Sequence, residues 1–111
     1  FYLGTTIEHT MTYHSVPFID GKSSTGRLGI QLHFTAGKGD AGFCGQWTLE
    51  IAVAHDVRVY PGMPIGQIFY YSLKGDVKNS YDAKDNAKYA GQRGPISSKM
   101  YKNYRKDPLW K

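Results

Sequence analysis

Three short stretches of this chain carry residue types that could do chemistry. In GKSSTGR (residues 21–27), Lys22, Ser23, Ser24 and Arg27 gather two cations and two hydroxyls within seven positions. Those are the donors a phosphate needs, and equally the composition of a polar turn. The stretch is not a nucleotide-binding P-loop, because G-x-x-x-x-G-K-[ST] requires glycine at position 16, where Val16 stands. Glu50 sits in TLEIAV (48–53), on the opposite side of the alternation from Leu49, Ile51 and Val53. A carboxylate so placed is usually just solvated, but one lining a cleft and partly desolvated is suited to proton transfer. In TAGKGDAGFCG (35–45), glycines spread through a loop could let backbone approach a ligand, or could serve tight turning alone.

Metal and thiol chemistry are not expected. His9, His14, His33 and His55 show no H-x-E, H-E-x-x-H or C-x-x-C spacing, so a zinc site has no ligand pattern to rest on. Cys44 is expected in a turn as a small, quiet side chain, since no His or Lys neighbours it in sequence to activate it.

The elements that must position these residues read as short strands joined by Gly, Pro and Asp turns, with no sustained helical period. LGIQLHF (28–34) alternates, placing Leu28, Ile30, Leu32 and Phe34 on one face and Gly29, Gln31 and His33 on the other. TLEIAV is a second strand. VRVYPGMPIGQIFYYSL (57–73) predicts two more around a Pro61-Gly62 turn, and FYLGTTIEHT and VPFID supply strands near the start. Strands at this spacing indicate a β-barrel or sandwich. From Lys74 onward the pattern gives way to a polar loop and a C-terminal arm.

With 111 residues the chain makes one domain at most. Hydrophobic residues at 41% and charged residues at 21% exclude disorder as a description of the whole chain. No apolar run reaches membrane-spanning length, and the lone cysteine makes a reducing compartment, the cytoplasm, the expectation. The net charge of +5 is uneven: residues 1–81 balance six Lys/Arg against six Asp/Glu, and the excess falls in 82–111. A basic end with interleaved tyrosines, KMYKNYRK (99–106), could meet nucleic acid, but no nucleic-acid module accompanies it and a solvated end explains it. Neither nucleic acid nor membrane is an expected partner.

Four stretches in order, GKSSTGRLGI (21–30), TAGKGDAGFCGQWTLEI (35–51), YPGMPIGQ (60–67) and AKYAGQRGP (87–95), resemble the dCTP deaminase branch of the dUTPase-like superfamily. The resemblance covers residues 21–97 and implies an all-β, distorted, mainly antiparallel barrel with short helical turns only. It also implies a homotrimer with active sites between subunits. Such an enzyme would deaminate dCTP to dUTP without a catalytic metal, in pyrimidine deoxynucleotide synthesis. Glu50 would be general base and acid for a water attacking C4 of cytosine, with that water held by the Ala36 carbonyl. Ser23 and Arg27 would complete the polar shell. Lys22 and Ser24 would meet the triphosphate, which would carry Mg²⁺, while Asp40 and Phe43 would face the sugar and Gln67 a phosphate. Tyr81, Lys88, Tyr89 and Gln92 belong to an arm, residues 82–111 with Tyr81 at its start, expected to close over the nucleotide.

Simple dUTPases carry an aliphatic residue at the Glu50 position and use the Asp40 position to activate water at the α-phosphate. This chain has both carboxylates, so the resemblance allows a deaminase releasing dUTP, or a bifunctional enzyme continuing to dUMP and diphosphate. Lys22 and Gly26 lean toward the bifunctional members. A dUTPase without deaminase activity and a non-catalytic relative sensing dUTP or dTTP are the alternatives. The chain departs from the family pattern at Thr25, where leucine is usual, and at Gly39, where an aliphatic residue is common. It begins with Phe1, and only twenty residues precede Gly21 where the family carries a substantial N-terminal portion. A domain lacking that portion, or a shortened relative, is therefore expected.

Overall fold

The computed structural model describes residues 1–104. Its strands are β1 (Tyr2–Met11), β2 (Ser15–Gly21), β3 (Ile30–Leu32), β4 (Cys44–Val53) and β5 (Gly66–Ser72), with a single helical turn α1 (Ser23–Gly26). Two short 3₁₀ turns, Tyr81–Ala83 and Met100–Asn103, follow in the arm. β1, β4 and β3 form one antiparallel sheet in that order, and β2 pairs with β5 in a second. The all-β expectation holds, with helical turns no longer than four residues. The two sheets do not join into a closed barrel.

Alternation builds β4. Trp47 and Leu49 are buried, Ile51 is partly so, and Gln46, Thr48 and Glu50 take the other face. The buried pair joins Ile19, Leu32 and Phe43 in the core, with Ile51, Ile65, Tyr81 and Tyr89 packed against it. Val53, expected with this face, is exposed at the strand's end.

β1 meets β4 in regular register from Tyr2↔Ile51 to Thr5↔Thr48, then bulges before resuming at His9↔Gln46. Side chains span the interruption. The Trp47 amide donates to Thr6 Oγ1 at 2.9 Å and its indole N–H to Thr10 Oγ1 at 3.0 Å, so the bulge leaves no buried donor on Trp47 unpaired.

Three strand expectations need correction. The strand foreseen over 28–34 shrinks to Ile30–Leu32, because Gly29 (φ 77°) and His33 (φ 66°) both take left-handed conformations that end an extended run. Leu28 and Phe34, expected to share a face with Ile30 and Leu32, are therefore exposed while those two are buried. Of the two strands foreseen around Pro61-Gly62 only β5 forms, and residues 57–60 are irregular. Cys44 opens β4 rather than lying in a turn, and its Sγ stands 4.0 Å from His9 Nε2, a neighbour that sequence adjacency could not reveal.

Glycines of the 35–45 loop serve packing. A Cβ on Gly39 would stand 2.5 Å from Trp47 Cη2 and 2.9 Å from Pro17 Cγ, and one on Gly37 would collide with the Ile19 carbonyl. Trp47 thus occupies the room that an aliphatic residue at position 39 would need. Thr25, the other departure, is 3% exposed and donates its hydroxyl to the carbonyls of Lys22 (2.9 Å) and Ile65 (3.1 Å). It ties α1 to the loop before β5, a task leucine could not perform.

Candidate active site

Among the described residues, Glu50 is the carboxylate with the most backbone amides donating to it. The short turn after β3 is bracketed by two residues with positive φ, His33 (66°) and Ala36 (53°), a conformation that costs a non-glycine residue about 1 kcal/mol and marks a backbone fixed for a purpose. Within the turn the amides of Phe34 and Thr35 both donate to Glu50 Oε2, each at 3.1 Å, while the His33 amide donates to the Glu50 carbonyl at 2.8 Å. Successive amides converging on one oxygen make a small anion-binding nest. Because both bonds fall on Oε2, Oε1 is left for another partner.

Glu50 lines a cleft of about 610 Å³ with Ala36, Asp40, Phe43, Tyr81, Tyr89 and Gln92. Seven of the residues singled out from the sequence therefore converge within one chain. Phe43 is buried and forms the floor, its ring 5.0 Å from Trp47 and 6.1 Å from Tyr81. Asp40 is half-exposed at the rim, 4.0 Å from Lys84 Nζ, a solvated pair that contributes little to stability. His33 shares the lining. Its Nδ1 is buried without a hydrogen bond of ordinary geometry, and burial holds its imidazole below the ordinary value of 6.5, outweighing the Glu50 charge, the Ala36 backbone and the Asp20 charge, which all act the other way.

The arm supplies the far wall. The Tyr89 amide donates to Tyr81 Oη and the Lys99 amide to Tyr89 Oη, both at 3.0 Å, so the two tyrosines are fixed in sequence. Lys88 points its ammonium to Asn103 Oδ1, and Lys99 Nζ donates to the Lys88 carbonyl at 2.6 Å. Gln92 donates its side-chain amide to the Gln46 carbonyl at 2.6 Å. Residues 105–111, included in the expected arm and in the basic stretch 99–106, lie outside the described residues.

The rest of the expected site lies elsewhere. Lys22, Ser23, Ser24 and Arg27 form or flank α1 and are absent from the cleft lining, as is Lys88. Gln67 donates to the Gly21 carbonyl at 2.9 Å and stands beside that turn. It borders a second cavity of about 660 Å³ between the sheets, lined by β1, the 59–68 segment and core side chains such as Ile19, Leu32 and Leu49, and by none of the expected catalytic residues. Sequence reasoning missed Gln46 and Thr48, which share the face of Glu50 on β4 and bond the arm. Their period-two spacing from Glu50 was the only available signal.

Two small antiparallel sheets, helical turns of at most four residues and a carboxylate cradled in a cleft define an all-β domain of the dUTPase-like class. A family model described as "dCTP deaminase-like" matches residues 1–73, and the chain belongs to that family. It is 49% identical to a "dCTP deaminase, dUMP-forming" from Cytophaga hutchinsonii over 105 residues, covering 95% of this chain and 58% of that protein. Proteins of the same name from Leptospira biflexa and Clostridium botulinum are 48% and 47% identical over the same span. The chain thus spans a little over half the length of these relatives.

Proposed function

We propose that this domain carries the catalytic carboxylate of a hydrolytic dCTP deaminase that continues through dUTP to dUMP and diphosphate. The observation that carries the reading is Glu50, held on one oxygen by the Phe34 and Thr35 amides and facing a cleft that also contains Ala36 and Asp40. Glu50 takes a proton from a water resting on the Ala36 carbonyl. That water adds to C4 of the cytosine ring, and the resulting tetrahedral carbon expels the exocyclic amine. Glu50 passes that first proton to N3, then takes the second from the new C4 hydroxyl as the C4 carbonyl forms and gives it to the amine, which leaves as ammonia, so the carboxylate ends as it began. Fixed donors around the developing charge act where a reorganising solvent would not.

Ser23 and Arg27 complete this shell from a second copy of the chain, since α1 of the same copy does not line the cleft. A homotrimer with sites between subunits supplies that arrangement. Lys22, Ser24 and Gln67, gathered at the Gly21 turn, then meet the triphosphate, and Lys88 with the arm closes over it. Mg²⁺ rides on the phosphates. Such an ion is bound mainly through phosphate oxygens and water; among the described residues no three His, Cys, Asp or Glu side chains cluster to hold a metal.

Asp40 serves the second stage, activating water toward the α-phosphate. The relatives' names, all dUMP-forming, favour this continuation over release of dUTP. A cytoplasmic setting fits the single thiol, and no helix among the described residues is long and apolar enough to cross a membrane. Incubating the protein with dCTP and Mg²⁺ and identifying products by mass spectrometry tests the reading. Equimolar dUMP, diphosphate and ammonia are expected; dCTP surviving intact would overturn it.

A further inference from the structure

Residues 91–96 run alongside β4 without being a strand, and the ties between them follow a pattern. The Gly91 amide donates to the Cys44 carbonyl (2.7 Å), and the Gln46 amide to the Gln92 carbonyl (2.9 Å). After these two backbone bonds the acceptors change to side chains: the Gly94 amide donates to Gln46 Oε1 (2.8 Å) and the Ile96 amide to Thr48 Oγ1 (3.0 Å). The arm advances in the same direction as β4, its ties passing from Cys44 through Gln46, which makes two, to Thr48. Thr48 makes the final one, two residues from the carboxylate and on its face of the strand.

Beyond that point Ser98 joins the cleft lining, and Lys99 turns back to hold Tyr89 through its amide (3.0 Å), with its ammonium 5.4 Å from the centre of the Tyr89 ring. Tyr89 in turn is bonded to Tyr81 (3.0 Å). The wall formed by Tyr81, Tyr89 and Gln92 is therefore anchored at one end by Gln46 and at the other by the segment that Thr48 fixes. Remove the Thr48 hydroxyl and residues 95–99 lose their only side-chain tie to β4 among the described bonds, while the Glu50 nest, built from Phe34 and Thr35, keeps both of its bonds.

We infer that Thr48 is a positioning residue that registers the arm against the Glu50 strand and so sets the nucleotide-facing wall of the cleft. The inference rests on the proposed nucleotide reading for its effect on turnover, and on the bonds alone for its effect on the arm. Uniform loss of binding, without loss of transition-state chemistry, raises KM and leaves kcat.

The test compares the full native chain with Thr48→Val, which keeps shape and removes the hydroxyl, and with Thr48→Ser, which keeps the hydroxyl. Two quantities are read, amide hydrogen exchange over residues 93–99 and steady-state kinetics on dCTP. Loss of one net hydrogen bond predicts, for Thr48→Val, a KM and a local exchange rate each raised about three- to tenfold, with kcat native. Exchange of β1 and β4 stays native, and Thr48→Ser restores both readings. A native KM in Thr48→Val, a kcat that falls with it, or failure of Thr48→Ser to restore either reading would overturn the inference. If the native protein leaves dCTP untouched, the deaminase reading fails separately, and exchange alone decides: unchanged protection of 93–99 in Thr48→Val overturns the inference, and selective loss restored by Thr48→Ser upholds it.

Discussion

A single carboxylate oxygen held by two backbone amides separates Glu50 from an ordinary solvated strand residue. Its substitution by Gln keeps size and hydrogen bonding but cannot carry a proton. Ammonia release from dCTP by Glu50→Gln should fall ~10²–10⁴-fold, the usual contribution of a positioned acid–base group, while the dUTP cleavage proposed for Asp40 should persist. Equal loss of both activities, followed by product chromatography, would refute that division of labour. His33 makes a second residue-scale prediction. Burial keeps its imidazole neutral in the folded protein, whereas the unfolded chain takes up the proton near 6.5. The folded state is therefore undisturbed above that value and loses stability as pH falls through it and below, because the unfolded chain then binds more protons. Urea denaturation midpoints should drop on acidification, and a His33→Gln protein should show a smaller drop over the same range.

At the scale of elements, the two departures from the family pattern turn out to be paired with compensations. Gly39→Ala would force a methyl against Trp47 and Pro17 and should cost about 1–3 kcal/mol in denaturant unfolding, the range for overpacking. Thr25→Val would strip α1 of its tie to Ile65 and should cost about 1 kcal/mol. By loosening the turn that carries Ser23 and Ser24, it should also weaken dCTP binding measured by calorimetry. The strands that bury a face, β4 above all, were legible because alternation with period two leaves a record in the sequence. β3 was not, since it ends where His33 adopts a left-handed backbone that no glycine announces. The arm's docking was equally hidden: its donors are backbone amides, which meet a β4 carbonyl and the Gln46 and Thr48 side chains far back along the chain, and an amide has no letter. Glu50 could be placed on the correct face from alternation alone, but its cradle depends on the turn that two positive φ angles create.

Across the whole molecule, the cleft holds Glu50, Ala36, Asp40 and the arm, while Lys22, Ser23, Ser24 and Arg27 stand on another part of the surface. On the proposed reading, that division leaves a single copy with two half-sites. Family resemblance supplied the pairing of these halves in the sequence; local patterning could not, because the α1 residues do not line the cleft of their own copy. If two copies complete each site, two inactive proteins must be able to rescue one another. Glu50→Gln and Arg27→Ala each lack one half and keep the other. Unfolded together in equal amounts and refolded, they should recover ammonia release from dCTP to about a quarter of the native rate, because random assembly joins two intact halves in that share of sites. Activity no greater than the sum of the two variants alone, from assemblies shown to be mixed, would contradict the account.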